Sequence, residues 1–236
     1  MPKTISIASS LFLFSLAAVG PSNVQAGTIS FTPLSSDATS GISALNTYTH
    51  AVDFNGDGAV INGVTFLAGS QTGANYTLTG SLTPFSGNNQ NELPAPAGNG
   101  INDLADTFFY GGPVQVLTLN GLIPNASYRA GFLVAGWGGA AQLLKGSDDN
   151  IQRLFDRDGD LTTAIIQTSP VIINFDYTAS ALGAVDLTFT EETLNNSFHH
   201  YGFFNQLINV PEPSGAVLMA CGFLGSLSRR SRKNRA

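Results

Sequence analysis

From residue 28 to residue 209 the chain repeats one pattern: short runs in which apolar and polar residues alternate, each cut off by glycine, asparagine, aspartate or proline. The clearest instance is VQVLTL at 114–119, followed by NGLIPN at 120–125 and YRAGFLVA at 128–135, where Tyr128, Ala130, Phe132 and Val134 share one side. Alternation with period two marks strands with one covered face, and the intervening residues are those that tolerate tight-turn geometry. No long amphipathic helix separates the runs, which disfavours a parallel α/β sheet. The expected class is therefore all-β, an antiparallel β-sandwich of about ten to twelve strands.

Taken in order, a first strand starts at residues 28–31, and YTHAVDF at 48–54 runs into Asn55-Gly56-Asp57-Gly58. That pair of turn dipeptides, followed by VINGVTFL at 60–67, predicts a hairpin over 48–67. Residues 76–83 read as a strand ended by Pro84, and residues 85–100 as the longest loop. Over 101–110, Ile101, Leu104, Ala105 and Phe108 follow helical spacing, with Asp103 and Asp106 opposite. Residues 114–119 and 128–135 read as a hairpin, and residues 151–155 and 161–167 as another around Asp156-Arg157-Asp158-Gly159-Asp160. Strands at 171–177, 185–190 and 198–204 complete the series.

Charge and cysteine usage limit what this body does. Residues 27–209 hold four basic and fifteen acidic residues, a net charge of −11 that the whole-chain value of −6 conceals. So anionic a surface argues against nucleic acid as a partner. The one cysteine, Cys221, lies beyond the body, which thus has no disulfide, thiol nucleophile or cysteine zinc site.

Sequence signatures of common catalytic sites are missing: no Gly-x-Ser-x-Gly elbow, His-Glu-x-x-His or phosphate-binding glycine loop occurs. The histidines are His50 and the pair His199-His200, whose neighbouring side chains leave a strand on opposite faces. A hydrolase using His50 and nearby carboxylates is one reading; strand histidines bonded to their neighbours is the plainer one. Asp156, Asp158 and Asp160 place oxygen ligands at alternate positions, as Ca²⁺ favours, but glycine stands fourth rather than sixth and Gln167 stands twelfth. A solvated turn is the alternative to a Ca²⁺ loop there. Asp53, Asn55 and Asp57 make a similar set, read as a hairpin turn. Trp137, between glycines, either stacks on a sugar with Tyr110 and Asn88 or Asn89 nearby, or closes the end of the sandwich.

Both ends carry address-like features. Lys3, the apolar residues 5–19 and Val24-Gln25-Ala26 form a secretory signal with cleavage between Ala26 and Gly27. At the other end, Pro211-Glu212-Pro213 precedes an uncharged run and the cations Arg229, Arg230, Arg232, Lys233 and Arg235. The prolines hold an extended segment, and the cations suit phosphate headgroups. This three-part order resembles the PEP-CTERM sorting signal of exported Gram-negative bacterial proteins. The resemblance implies passage through the secretion machinery, transient residence in the inner membrane and cleavage near Pro211-Glu212-Pro213 by an exosortase-type membrane protease.

The body in turn resembles a galactose-binding-like jelly-roll module found with such tails. The residues behind this are INGVTF at 61–66, LTLNGL at 117–122 leading to Tyr128, residues 132–137 up to Trp137, and Tyr201-Gly202-Phe203. It implies a non-catalytic module. The sequence thus divides into a signal segment with its helix at 1–26, a β-sandwich at 27–209 and a sorting segment with an apolar helix at 210–236. The expected product is a cell-surface or matrix protein associated with exopolysaccharide; a Ca²⁺-assisted carbohydrate-binding module is the alternative.

Overall fold

The computed structural model describes residues 28–86, 99–134, 143–148, 151–156, 171–191 and 197–209, with the backbone path alone for 143–148 and 151–156. In chain order the strands are β1 (Thr28–Pro33), β2 (Thr47–Phe54), β3 (Ala59–Ile61), β4 (Val64–Gly69), β5 (Thr72–Gly73), β6 (Tyr76–Thr79) and β7 (Thr83–Phe85). Helix α1 (Asn99–Ala105) follows, then β8 (Phe108–Tyr110), β9 (Val114–Leu119), β10 (Ser127–Val134), β11 (Leu143–Asp148) and β12 (Ile151–Asp156). The last strands are β13 (Val171–Thr178), β14 (Val185–Glu191) and β15 (Gly202–Asn209).

Two sheets face each other, ordered β1-β13-β10-β15-β2-β4-β3 and β12-β11-β14-β9-β6-β5. Eight of these strands pair in nested fashion. β2 pairs with β15, β9 with β14, β10 with β13 and β11 with β12, all antiparallel. The first strand of the eight thus meets the last and the fourth meets the fifth. One long antiparallel ribbon has been rolled into a two-sheet sandwich, which is the jelly-roll arrangement. β3 to β8 and α1 are inserted between the first and second of those strands, and β1 extends the larger sheet beyond β13.

Core packing follows from this roll. Between the sheets, Phe54, Tyr128, Phe132, Phe175, Tyr177 and Phe203 of the larger sheet meet Tyr76, Leu78, Leu117, Leu119, Leu187 and Phe189 of the smaller. Phe54 and Phe203 stack with ring centroids 5.3 Å apart. A second apolar cluster covers the outer face of the larger sheet, where Ile172, Leu133, Tyr201 and Phe204 are roofed by Ile101 and Leu104 of α1, Phe108 of β8 and Phe66 of β4. Central strands are therefore covered on both faces. This explains why VIINF at 171–175 is one buried run rather than an alternation.

The hairpin expectations fail in instructive ways. β2 does not pair with β3; it runs parallel to β4, while β3 and β4 form their own hairpin over Asn62 and Gly63, at φ 48° and 82°. Nor do β9 and β10 pair, because the connection between them crosses from one sheet to the other. Buried Leu122 and Ala126 carry it across, and the Ile123 amide donates to the Tyr128 hydroxyl at 2.8 Å. β12 pairs antiparallel with β11, from Leu143 opposite Asp156 to Asp148 opposite Ile151, while the 157–167 half of the hairpin expected around Asp156–Asp160 lies outside the described residues. Pro84 lies inside β7, opposite Phe109 in a two-stranded ribbon, where a missing donor is tolerated. The strand expected at 198–204 begins only at Gly202. Among the described residues no helix is long and apolar enough to cross a membrane.

Candidate functional site

The most unusual side chain is Asp53, at the end of β2. It points to the outer face of the larger sheet and is 0% exposed. The Gly58 amide donates to its Oδ2 at 2.9 Å, while Oδ1 has no hydrogen-bond partner. Burial pushes this carboxyl up to about 7, and Asp57, Asp103 and Asp106 push the same way, against the Gly58 amide.

The segment after β2 is folded around that carboxylate. Asn55 is left-handed at φ 64°, with its amide on the Gly69 carbonyl at 2.9 Å and its Nδ2 on the Phe85 carbonyl at 2.8 Å. Gly56 lies directly over the carboxylate, and a Cβ there would fall on both oxygens. Gly58 has φ +100°, and a Cβ there would meet the Phe66 carbonyl oxygen at 3.0 Å.

Helix α1 closes the other side. Its first amides, Gly100 and Ile101, donate to the Asp37 carboxylate at 3.3 and 3.0 Å. Just past its end, the Thr107 hydroxyl donates to the Phe54 carbonyl at 3.2 Å. The Oδ1 of Asn102 is also buried without a partner. Between loop and helix lies an open cleft of about 520 Å³ bearing Asp57 and Asp103, with exposed Val60 and Leu67 on its wall.

The histidines are placed apart from this cleft. His200 Nε2 is 2.9 Å from Gln115 Oε1, and Gln115 Nε2 donates to the carbonyls of Gly111 and Phe198 at 2.7 and 3.3 Å. Since the carboxamide nitrogen is already donating, its oxygen accepts and His200 carries its proton on Nε2. Burial lowers the His200 pKa to about 3, with His199 adding to the effect. His50 donates from Nε2 to the Asn75 carbonyl at 3.2 Å, and its Nδ1 is 3.0 Å from the Thr49 hydroxyl. A buried network continues from Thr49 through Asn205 to the Tyr177 hydroxyl. His50 and His200 are separated by the stacked rings of Phe54 and Phe203. His199 faces the opposite side, stacked on Phe108 at 4.6 Å, and Tyr110 packs edge-on to it.

Of the sugar-contact and metal residues expected from sequence, Trp137, Asn88, Asn89, Asp158 and Asp160 lie outside the described residues, as do Ala26, Gly27, Pro211, Glu212, Pro213 and the basic residues 229–235. Asp156 closes β12, and its side chain is not described. Among the described residues no three His, Cys, Asp or Glu side chains converge as a metal site. From sequence, Asp53 is grouped with Asn55 and Asp57 and read as part of a hairpin turn, without its burial being foreseen. The available signal was glycine at the sixth place from Asp53, where the 156–160 set has it fourth.

No family model and no curated protein matches the chain. Two solved structures are similar in part. One is an exo-β-1,3-galactanase from Phanerochaete chrysosporium with β-1,3-galactotriose, at 14% identity and TM-score 0.34, covering 61% of this chain and 30% of that one. The other is TmCBM61 with β-1,4-galactotriose, at 15% identity and TM-score 0.24, covering 56% of this chain and 88% of that one. Scores this low carry no argument about what the chain does.

Proposed function

We propose that the chain is an exported cell-surface or matrix protein, non-catalytic and associated with exopolysaccharide, whose jelly-roll body is delivered through the segment at 210–236. The observation that carries this is the ordered C-terminal sequence: Pro211-Glu212-Pro213, an uncharged run, then Arg229, Arg230, Arg232 and Lys233. A short apolar stretch ended by cations holds a protein at an anionic leaflet, and an extended Pro-Glu-Pro before it offers a cleavable join. An exosortase-type protease is the proposed partner at that join. The body's charge of −11 favours a product repelled by anionic lipid once cut free.

The non-catalytic reading is supported by how the histidines are used. Both ring nitrogens of His50 are engaged, and His200 is 2% exposed among the rings of Phe54, Phe189 and Phe198. Carbohydrate recognition is the second reading, favoured by the cleft that sets carboxylates of Asp57 and Asp103 beside the apolar Val60 and Leu67. Sugars present hydroxyls and C–H faces to such mixed surfaces.

The test is cell fractionation of the whole chain against a chain ending at Asn209. The intact chain is expected first with membranes and then at the envelope, and the shortened one free in the medium or periplasm. Identical distribution of the two would overturn the sorting role.

A further inference from the structure

We propose that the loop after β2 and helix α1 together bind one divalent cation of the Ca²⁺ type, with Asp53 as the buried anchor. Asp53 Oδ1 is wholly enclosed and receives no hydrogen bond. Such an atom is costly to bury, and a bound ion is one of the few arrangements that accounts for it. The carboxylate faces the loop, because Oδ2 takes the Gly58 amide and Gly56 lies against both oxygens.

The spacing agrees with this. Asp53, Asn55 and Asp57 stand at places one, three and five of an oxygen-ligand loop, with Gly58 at the sixth place in a positive-φ conformation. Val64 stands at the twelfth, so the carboxylate that usually completes such a loop is missing. Helix α1 offers replacements from outside the loop: Asp103 lines the cleft that Asp57 and Gly58 also line, and Asn102 has a buried carboxamide oxygen without a partner. The donors are all oxygens, a mixture of carboxylate and carboxamide that suits a hard cation of flexible coordination better than zinc or copper. Fewer than three carboxylates need converge when carboxamides and water fill the remaining positions. Asp57, Asp103 and Asp106 make the field at Asp53 attractive to a cation. Binding would fasten the end of β2 to α1 and so hold the outer apolar layer in place.

The test is calorimetric titration of the full-length, chelator-treated chain with CaCl₂, alongside thermal melting with and without CaCl₂. The expected result is one Ca²⁺ per chain and a rise in Tm, both abolished in Asp53→Asn. The exposed Asp57→Asn, which leaves the buried carboxylate intact, should weaken binding about tenfold or more. If Asp53→Asn does not fold, Asp57→Asn decides. Asp158→Ala should leave the Ca²⁺ effect unchanged. Failure of CaCl₂ to bind or to raise Tm would overturn the proposal. So would a Ca²⁺ effect that survives Asp57→Asn, or one that vanishes in Asp158→Ala.

Discussion

His200 donates from Nε2 to the Oε1 of Gln115 across 2.9 Å, joining the residues just ahead of β15 to β9 inside the sandwich. Burial favours the neutral imidazole here, since His200 is 2% exposed and lies among Phe54, Phe189 and Phe198, and His199 acts in the same direction. Folding is thereby linked to proton release from this ring.

The sign is fixed by the direction of the shift. His200 has its pKa lowered to about 3 in the folded chain, against an ordinary value near 6.5, so protons bind the unfolded state more tightly. Its contribution is whole above about pH 6.5 and fades as pH falls toward 3, at up to ~1.4 kcal/mol per pH unit. Asp53 acts in the opposite sense, because its raised pKa makes the folded chain the better proton acceptor below about 7. The net profile of the wild type is therefore flattened, and the comparison with His200→Gln isolates the histidine. In urea melts under chelator, the advantage of wild type over His200→Gln should shrink steadily between pH 6.5 and 4; a constant difference would contradict the assignment.

Gly56→Ala should be among the most damaging small substitutions in the chain. The added Cβ falls on the Asp53 carboxylate, which has no room to withdraw. A cost of about 2 kcal/mol or more is expected, read as a lower denaturation midpoint with an unchanged slope. Tolerance of alanine there would mean that the carboxylate is not held beneath the loop.

Leu104→Ala tests whether the outer layer is part of the fold's stability. Leu104 is 2% exposed in the second apolar cluster, and truncation should cost about 2–5 kcal/mol. Leu45→Ala, at a residue 96% exposed, should change stability by less than about 0.5 kcal/mol. Equal effects would show that α1 does not seal the larger sheet.

How much of this was legible beforehand depends on which physical signal each feature leaves. Strand positions were readable because alternation and turn residues are local: β9, β10, β13 and β14 fall close to where the periodicity puts them. The faces were readable too, since Tyr76 and Leu78 are buried together, as are Ile101, Leu104 and Phe108. Partners were not. A strand leaving for the opposite sheet shows the same alternation as one that folds back, so the crossing after Leu119 looked like a hairpin. β11 was hidden because LLKGSD at 143–148 mixes apolar, charged and small residues without a clean period. Asp53 reads as one member of a plain turn motif for a different reason: its burial depends on how the loop at Gly56 and Gly58 folds back over the carboxylate, which residue types alone do not reveal.

For the carbohydrate reading, Trp137→Ala and Asp103→Asn separate two surfaces. Glycan-array binding lost with Trp137→Ala and kept in Asp103→Asn would assign recognition to the loop at 137. The reverse would assign it to the cleft beside α1, and a silent wild-type array would remove carbohydrate binding from the account.

The account stands or falls on what cells make of the two ends, and intact-mass measurement of the protein recovered from the envelope reads both at once. The expected species begins at Gly27 and stops near Pro211-Glu212-Pro213, well below the 24.6 kDa of the full chain unless a lipid or glycan has been added. Recovery from the cytosol of an unaltered chain running from Met1 to Ala236 would contradict it.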